Sequence, residues 1–114
     1  MSASREKRKY PRAEIQWPVT IMTPDGPKDG ETKNIGVGGA LISCAYPLPL
    51  HERICVIFKI PNRAPISINT IVARSNVSSK VKQKEGTYPE VALYYIELTD
   101  QELEFFYSII SKSK

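Results

Sequence analysis

Two runs of strict alternation limit what this chain can become. Ile15, Trp17, Val19 and Ile21 take turns with Gln16, Pro18, Thr20 and Met22, and Ile54, Val56, Phe58 and Ile60 with Arg53, Cys55, Ile57 and Lys59. A period of two turns one face of an extended backbone to a core and the other to water, so both runs are predicted strands. Pro18 sits on the outer set without an N–H, which predicts an edge position or a bulge. TPDGPKDG is a turn cluster, and strands are expected near Glu31–Ile35 and Ala40–Cys44, separated by the glycine-rich end of NIGVGG. AYPLPLHE reads as a loop and PNRAP as a turn. A fifth strand runs from Ile66 to about Arg74, with a bulge where Ile71-Val72 breaks the alternation. Polar SNVSSKVKQKEGTYP is expected to be a long hairpin tip before a sixth strand, Glu90–Leu98.

The end of the chain changes period. Thr99-Asp-Gln-Glu102 has the spacing of a capping box, which opens a helix at about residue 99. Leu103, Phe106, Tyr107 and Ile110 then fall at i, i+3, i+4 and i+7, a single apolar stripe expected to pack on the core. At 114 residues this is one domain, and six short strands with frequent Gly and Pro turns argue for a small barrel or sandwich, one open side covered by the helix.

Composition excludes several classes. The hydrophobic share of 41% and charged share of 25% are those of a globular chain. No apolar run approaches the roughly 18 residues of a membrane helix, so membrane insertion is not expected. The opening MSASREKRKYPR has no apolar stretch behind it and is not read as a signal peptide. Two cysteines, Cys44 and Cys55, neither build a disulfide scaffold nor fill a zinc site; they read as small hydrophobes in a reducing, cytoplasmic setting. The single histidine, His51, lies in the loop PLPLHER with no nucleophile-elbow motif anywhere, so no enzyme and no cofactor are expected.

The charge is uneven. Residues 1–12 carry Arg5, Lys7, Arg8, Lys9 and Arg12 against Glu6, and so hold the whole net charge of +4; residues 13–114 are neutral. The reading is a flexible basic segment over 1–12 joined to a barrel domain over 13–114. Such a segment cannot offset its ordering entropy by apolar burial, but it can grip a phosphate-bearing partner.

Two clusters carry that idea further. Arg8-Lys9-Tyr10-Pro11-Arg12 places two arginines four apart, and Pro11 biases Tyr10 toward extended backbone, leaving the arginines free to wrap a ligand. Arginine's planar fork pairs two-pronged with phosphate or with guanine O6 and N7. Asn34-Ile35-Gly36-Val37-Gly38-Gly39 has neither P-loop nor dinucleotide-fold spacing, and by itself reads as a bulged strand connection in which glycines permit positive φ. In this order, from about Arg5 to the final helix, the chain resembles the PilZ family, whose pattern is RxxxR and then [D/N]-x-S-x-x-G. Arg8 and Arg12 match the first motif; Asn34 and Gly39 match the second, followed by apolar Ala40-Leu41-Ile42.

The resemblance implies an all-β fold, a six-stranded antiparallel PilZ-type barrel with a C-terminal helix, binding cyclic di-GMP. It implies Arg8 and Arg12 as a clamp on phosphates and guanine edges, Asn34 as a guanine contact, and Gly39 as shaping the turn that presents Asn34. Lys7, just before RxxxR, stands where the family sets whether one ligand or a stacked pair binds. Gly36 replaces the motif's serine. The missing hydroxyl corresponds to about 1.5–3 kcal/mol where it would meet a charged group, a loss of roughly tenfold to a hundredfold in affinity. Fixing residues 5–12 opposes binding by on the order of 10 kcal/mol, so micromolar, salt-sensitive binding is expected. The reading is a single-domain receptor that orders its arginine segment and signals to an unidentified downstream protein. The alternative is a PilZ-fold adaptor that has lost the ligand, and Gly36 favours it. A nucleic-acid binder ranks third, because residues 13–114 carry no net charge.

Overall fold

The computed structural model describes residues 12–75 and 89–112. In chain order these form β1 (Arg12–Ala13), β2 (Pro18–Thr23), β3 (Gly26–Gly36), β4 (Gly39–Cys44), β5 (Arg53–Phe58), β6 (Ile66–Ser75), β7 (Glu90–Ile96) and α1 (Asp100–Lys112). Strands β3-β2-β5-β6-β7-β4 pair in that order, all antiparallel, and β4 pairs back onto β3. The sheet is thus a closed six-stranded barrel, the expected fold, and closure removes the free edges that an open sheet must protect. β1 is a short addition to β3, with Arg12 opposite Gly36 and Ala13 opposite Ile35. The predicted hairpin tip and the basic segment before Arg12 lie outside the described residues.

The first alternating run is not one strand. Its backbone leaves β3 after Ala13 and rejoins it at Pro18. Buried Thr32 spans the break: its hydroxyl accepts the Trp17 N–H at 2.7 Å and donates to the Ile15 carbonyl at 2.5 Å. β2 is no edge strand, since it lies between β3 and β5. Pro18 is tolerated because it is the first residue of the strand. The turn in TPDGPKDG is also shorter than expected. Thr23 faces Gly26 across a two-residue turn with Gly26 at φ +110°, and Pro27–Gly30 continue as β3, because pairing with β2 outweighs their poor strand propensity. The β6 bulge falls between Val72 and Arg74, one residue later than expected, and β7 ends at Ile96.

Val19, Ile21, Ile42, Val56, Phe58, Ile68, Val72, Val91 and Leu93 fill the barrel. Helix α1 closes one end. Its capping box forms as the sequence predicts: Glu102 N–H donates to the Thr99 hydroxyl at 3.1 Å, and Thr99 N–H to the Glu102 carboxylate at 3.0 Å. The buried stripe is rotated from the predicted one. Phe106 and Ile110 are buried and Phe105 and Ile109 pack beside them, whereas Leu103 and Tyr107 stay exposed. Aromatic contacts set this rotation: Phe105 stacks on Trp17, and Phe106 on Tyr95 with its edge to Phe58.

Candidate functional site

Thr32 and Ile35 are both fully buried although three apart, which simple alternation forbids. The register explains it. Thr32 faces Ile42 and Asn34 faces Leu41, so Lys33 and Asn34 together oppose one residue of β4. This bulge brings Asn34 to the outer surface of the barrel. There the Arg12 guanidinium donates from Nη1 to Asn34 Oδ1 at 3.3 Å, an exposed contact across 22 positions of sequence. Arg12 is held in place because β1 pairs its backbone with Gly36.

Gly39 is required for a different reason from the one anticipated. Among the described residues Gly26 is the glycine at positive φ; Gly39 is instead pressed against β7. A Cβ there would stand 2.0 Å from the Leu93 carbonyl oxygen, so any side chain would force β4 and β7 apart. Gly39 faces Tyr94, and the neighbouring Gly38 carbonyl accepts the Tyr95 N–H at 3.0 Å. The glycines therefore lock β4 to β7 beside Asn34.

The structure brings Arg12, Asn34, Gly36 and Gly39 together at one end of β3 and β4. Arg8 and Lys7 lie outside the described residues. Across the same outer face, Leu41 lies opposite Ala92, and the β6 bulge sets exposed Arg74 opposite Ala92 in turn. Tyr94, 61% exposed, stands next to this row. None of Leu41, Arg74 and Tyr94 carries a motif; strand parity was the available signal for Leu41 and Tyr94, each next to a buried residue, whereas the β6 bulge hides Arg74 from it. On the inner side, burial pushes the Tyr95 phenol well above the usual tyrosine range, and the positive charge of Arg12 opposes that shift.

The remaining chemistry-bearing residues lie elsewhere. Cys44 is buried, its thiol pushed up chiefly by desolvation, and Cys55 lies on a strand of the wall, so both occupy strand positions as expected. His51 caps its loop through its backbone, donating N–H to the Val72 carbonyl at 2.8 Å. No group of His, Cys, Asp and Glu among the described residues is arranged to hold a metal ion. No helix among them is long and apolar enough to cross a membrane. A cavity of about 260 Å³ lined by Met22, Tyr46, Leu48, Glu52 and Ile54 lies by the β2–β3 turn, at the opposite end of β3 from Asn34.

Comparison with known proteins fits this geometry. The family model for the PilZ domain matches residues 6–107. The chain belongs to the PilZ domain family. Among solved structures, the Bacillus subtilis inhibitor of motility MotI/DgrA superposes with a TM-score of 0.76 at 19% identity, over 94% of this chain and 51% of that one. The PilZ domain with c-di-GMP of YcgR from Escherichia coli gives 0.75 at 13% identity, over 95% and 92%. The K. pneumonia MrkH–c-di-GMP complex gives 0.76 at 13%, over 94% and 52%. The chain spans about half the length of the first and third of these. At such identities the likeness is one of fold. A search of curated proteins finds no match to the sequence.

Proposed function

We propose that this chain is a cyclic di-GMP receptor without enzymatic activity, working in the cytoplasm. The observation that carries the reading is the Arg12–Asn34 contact: the second arginine of RxxxR and the first residue of the second motif meet on the barrel surface. Two of the solved structures that share its fold are described as PilZ or MrkH with c-di-GMP. Arg12 supplies a charge-assisted fork for a phosphate or a guanine edge, and the Asn34 amide both donates and accepts toward a base. Arg8 completes the clamp. Lys7, next to it in sequence, supplies charge to neutralise additional phosphate.

Gly36 and Gly39 shape the wall on which the ligand rests. Pairing of Arg12 and Ala13 with β3 already fixes the end of the leader, so the ordering cost falls on the residues before Arg12, at about 1–2 kcal/mol each. Ligand binding draws that segment onto the barrel, and the new surface is read by a downstream protein. Isothermal titration with cyclic di-GMP tests this. Micromolar binding that weakens with salt is expected for the intact chain, and Arg8→Ala or Arg12→Ala should abolish the heat.

Gly36 in place of the motif serine supports a second reading, an adaptor of the same fold that acts through protein contacts alone. An intact chain that gives no heat while Arg8→Ala and Arg12→Ala leave partner capture unchanged would favour it.

A further inference from the structure

We propose that Tyr94 is the stacking platform for a guanine base of cyclic di-GMP, an assignment that rests on the receptor reading above. Register places it. On the outer parity of the wall, Arg12 pairs with Gly36, Ala40 pairs with Ile35, and so Gly39 lies level with Gly36; Gly39 in turn pairs with Tyr94. Two successive positions in this row have no side chain. Arg12 and Tyr94 are therefore the first side chains met on either side of the glycines. Adjacent strands are about 4.8 Å apart, so three spacings put the Arg12 and Tyr94 backbones roughly 14 Å from each other. A cyclic dinucleotide with two purines spans that distance.

Tyr94 itself is built for the role. Its neighbours Leu93 and Tyr95 turn into the barrel, leaving its ring 61% exposed. It makes no ring stack and no side-chain hydrogen bond among the described residues. Half-buried Ile71 supports it from β6, opposite in register. An exposed aromatic ring spends little conformational entropy on binding and offers a face that any base can use. The contact also bears on Gly36, since stacking offsets part of what the absent serine hydroxyl would have contributed.

Titration of cyclic di-GMP into the intact chain, Tyr94→Ala and Tyr94→Phe tests the assignment. Tyr94→Ala should bind about ten- to a hundredfold more weakly, and Tyr94→Phe within about twofold of the parent, because the ring and not the hydroxyl does the stacking. Independently of any variant, a guanine H8 proton of the bound nucleotide should move upfield in the proton NMR spectrum. Equal affinity for Tyr94→Ala and parent, or an unmoved H8 signal in a bound complex, overturns the platform and leaves the receptor reading standing. A folded parent chain that binds no nucleotide overturns both.

Discussion

Arg12 reaches Asn34 at 3.3 Å only because two backbone devices cooperate: a two-residue strand that pins Arg12 to Gly36, and a bulge at Lys33 that turns Asn34 outward. The two-residue strand is no part of the closed ring of six, whereas the bulge lies within the β3–β4 ladder that completes it. The contact is exposed, and exposed polar pairs of this kind contribute at most about 1 kcal/mol to stability. Arg12→Ala and Asn34→Ala should therefore leave the melting temperature within a few degrees of the parent while weakening cyclic di-GMP binding at least tenfold. Calorimetry and a thermal melt on the same samples check both halves.

Gly36→Ser restores the family motif. If a hydroxyl at this position meets a charged group of the ligand, affinity should rise by roughly tenfold to a hundredfold, matching one hydrogen bond of about 1.5–3 kcal/mol. Titration under identical salt compares the two chains directly; unchanged affinity would mean that the site reads the nucleotide without this position.

Gly39→Ala places a methyl group 2.0 Å from the Leu93 carbonyl oxygen. Backbone cannot yield as a side-chain tip can, so destabilisation of about 1–3 kcal/mol or more is expected, seen as a lower urea midpoint at unchanged slope. Because Gly39 lies level with Gly36 and opposite Tyr94, nucleotide affinity should fall with it.

Tyr95 carries a buried hydroxyl with no hydrogen-bond partner among the described residues. Tyr95→Phe keeps the stack on Phe106 and removes a desolvated polar group, so it should be neutral or stabilising by about 1–3 kcal/mol. Burial holds the phenol neutral in the folded chain, above the ordinary value of about 10. The unfolded chain ionises at that ordinary value, so parent stability should decline as pH rises past about 10, and Tyr95→Phe should lose that component of the decline. Urea melts between pH 7 and 11 measure the difference.

Much of this architecture was legible because inner and outer residues alternate. Val56, Phe58 and Ile68 could be placed in the core from parity alone, and Thr99 with Glu102 announced the helix start. What parity could not reveal was where it breaks. Ile15 to Ile21 reads as one strand until Thr32 supplies side-chain hydrogen bonds in the gap, and only a tertiary partner can do that. The helix stripe shifted for a similar reason. Leu103 and Tyr107 satisfy helical spacing, but Trp17, Phe58 and Tyr95 offer their rings to Phe105 and Phe106 instead. At the candidate site, motif spacing singled out Asn34 and Gly39 without the physical cause of their placement, which is a bulge for one and close strand approach for the other. Tyr94 has no motif, and its place in the row became visible only with the register.

The most direct test of the central claim is a map of backbone amide shifts in the intact chain as cyclic di-GMP is added at low salt. The account predicts saturable changes concentrated at Arg12, Asn34, Gly36, Gly39, Leu41 and Tyr94, with little at the β2–β3 turn around Gly26. A spectrum that stays unchanged at high micromolar nucleotide, or changes centred on the Gly26 end of β3, would contradict it.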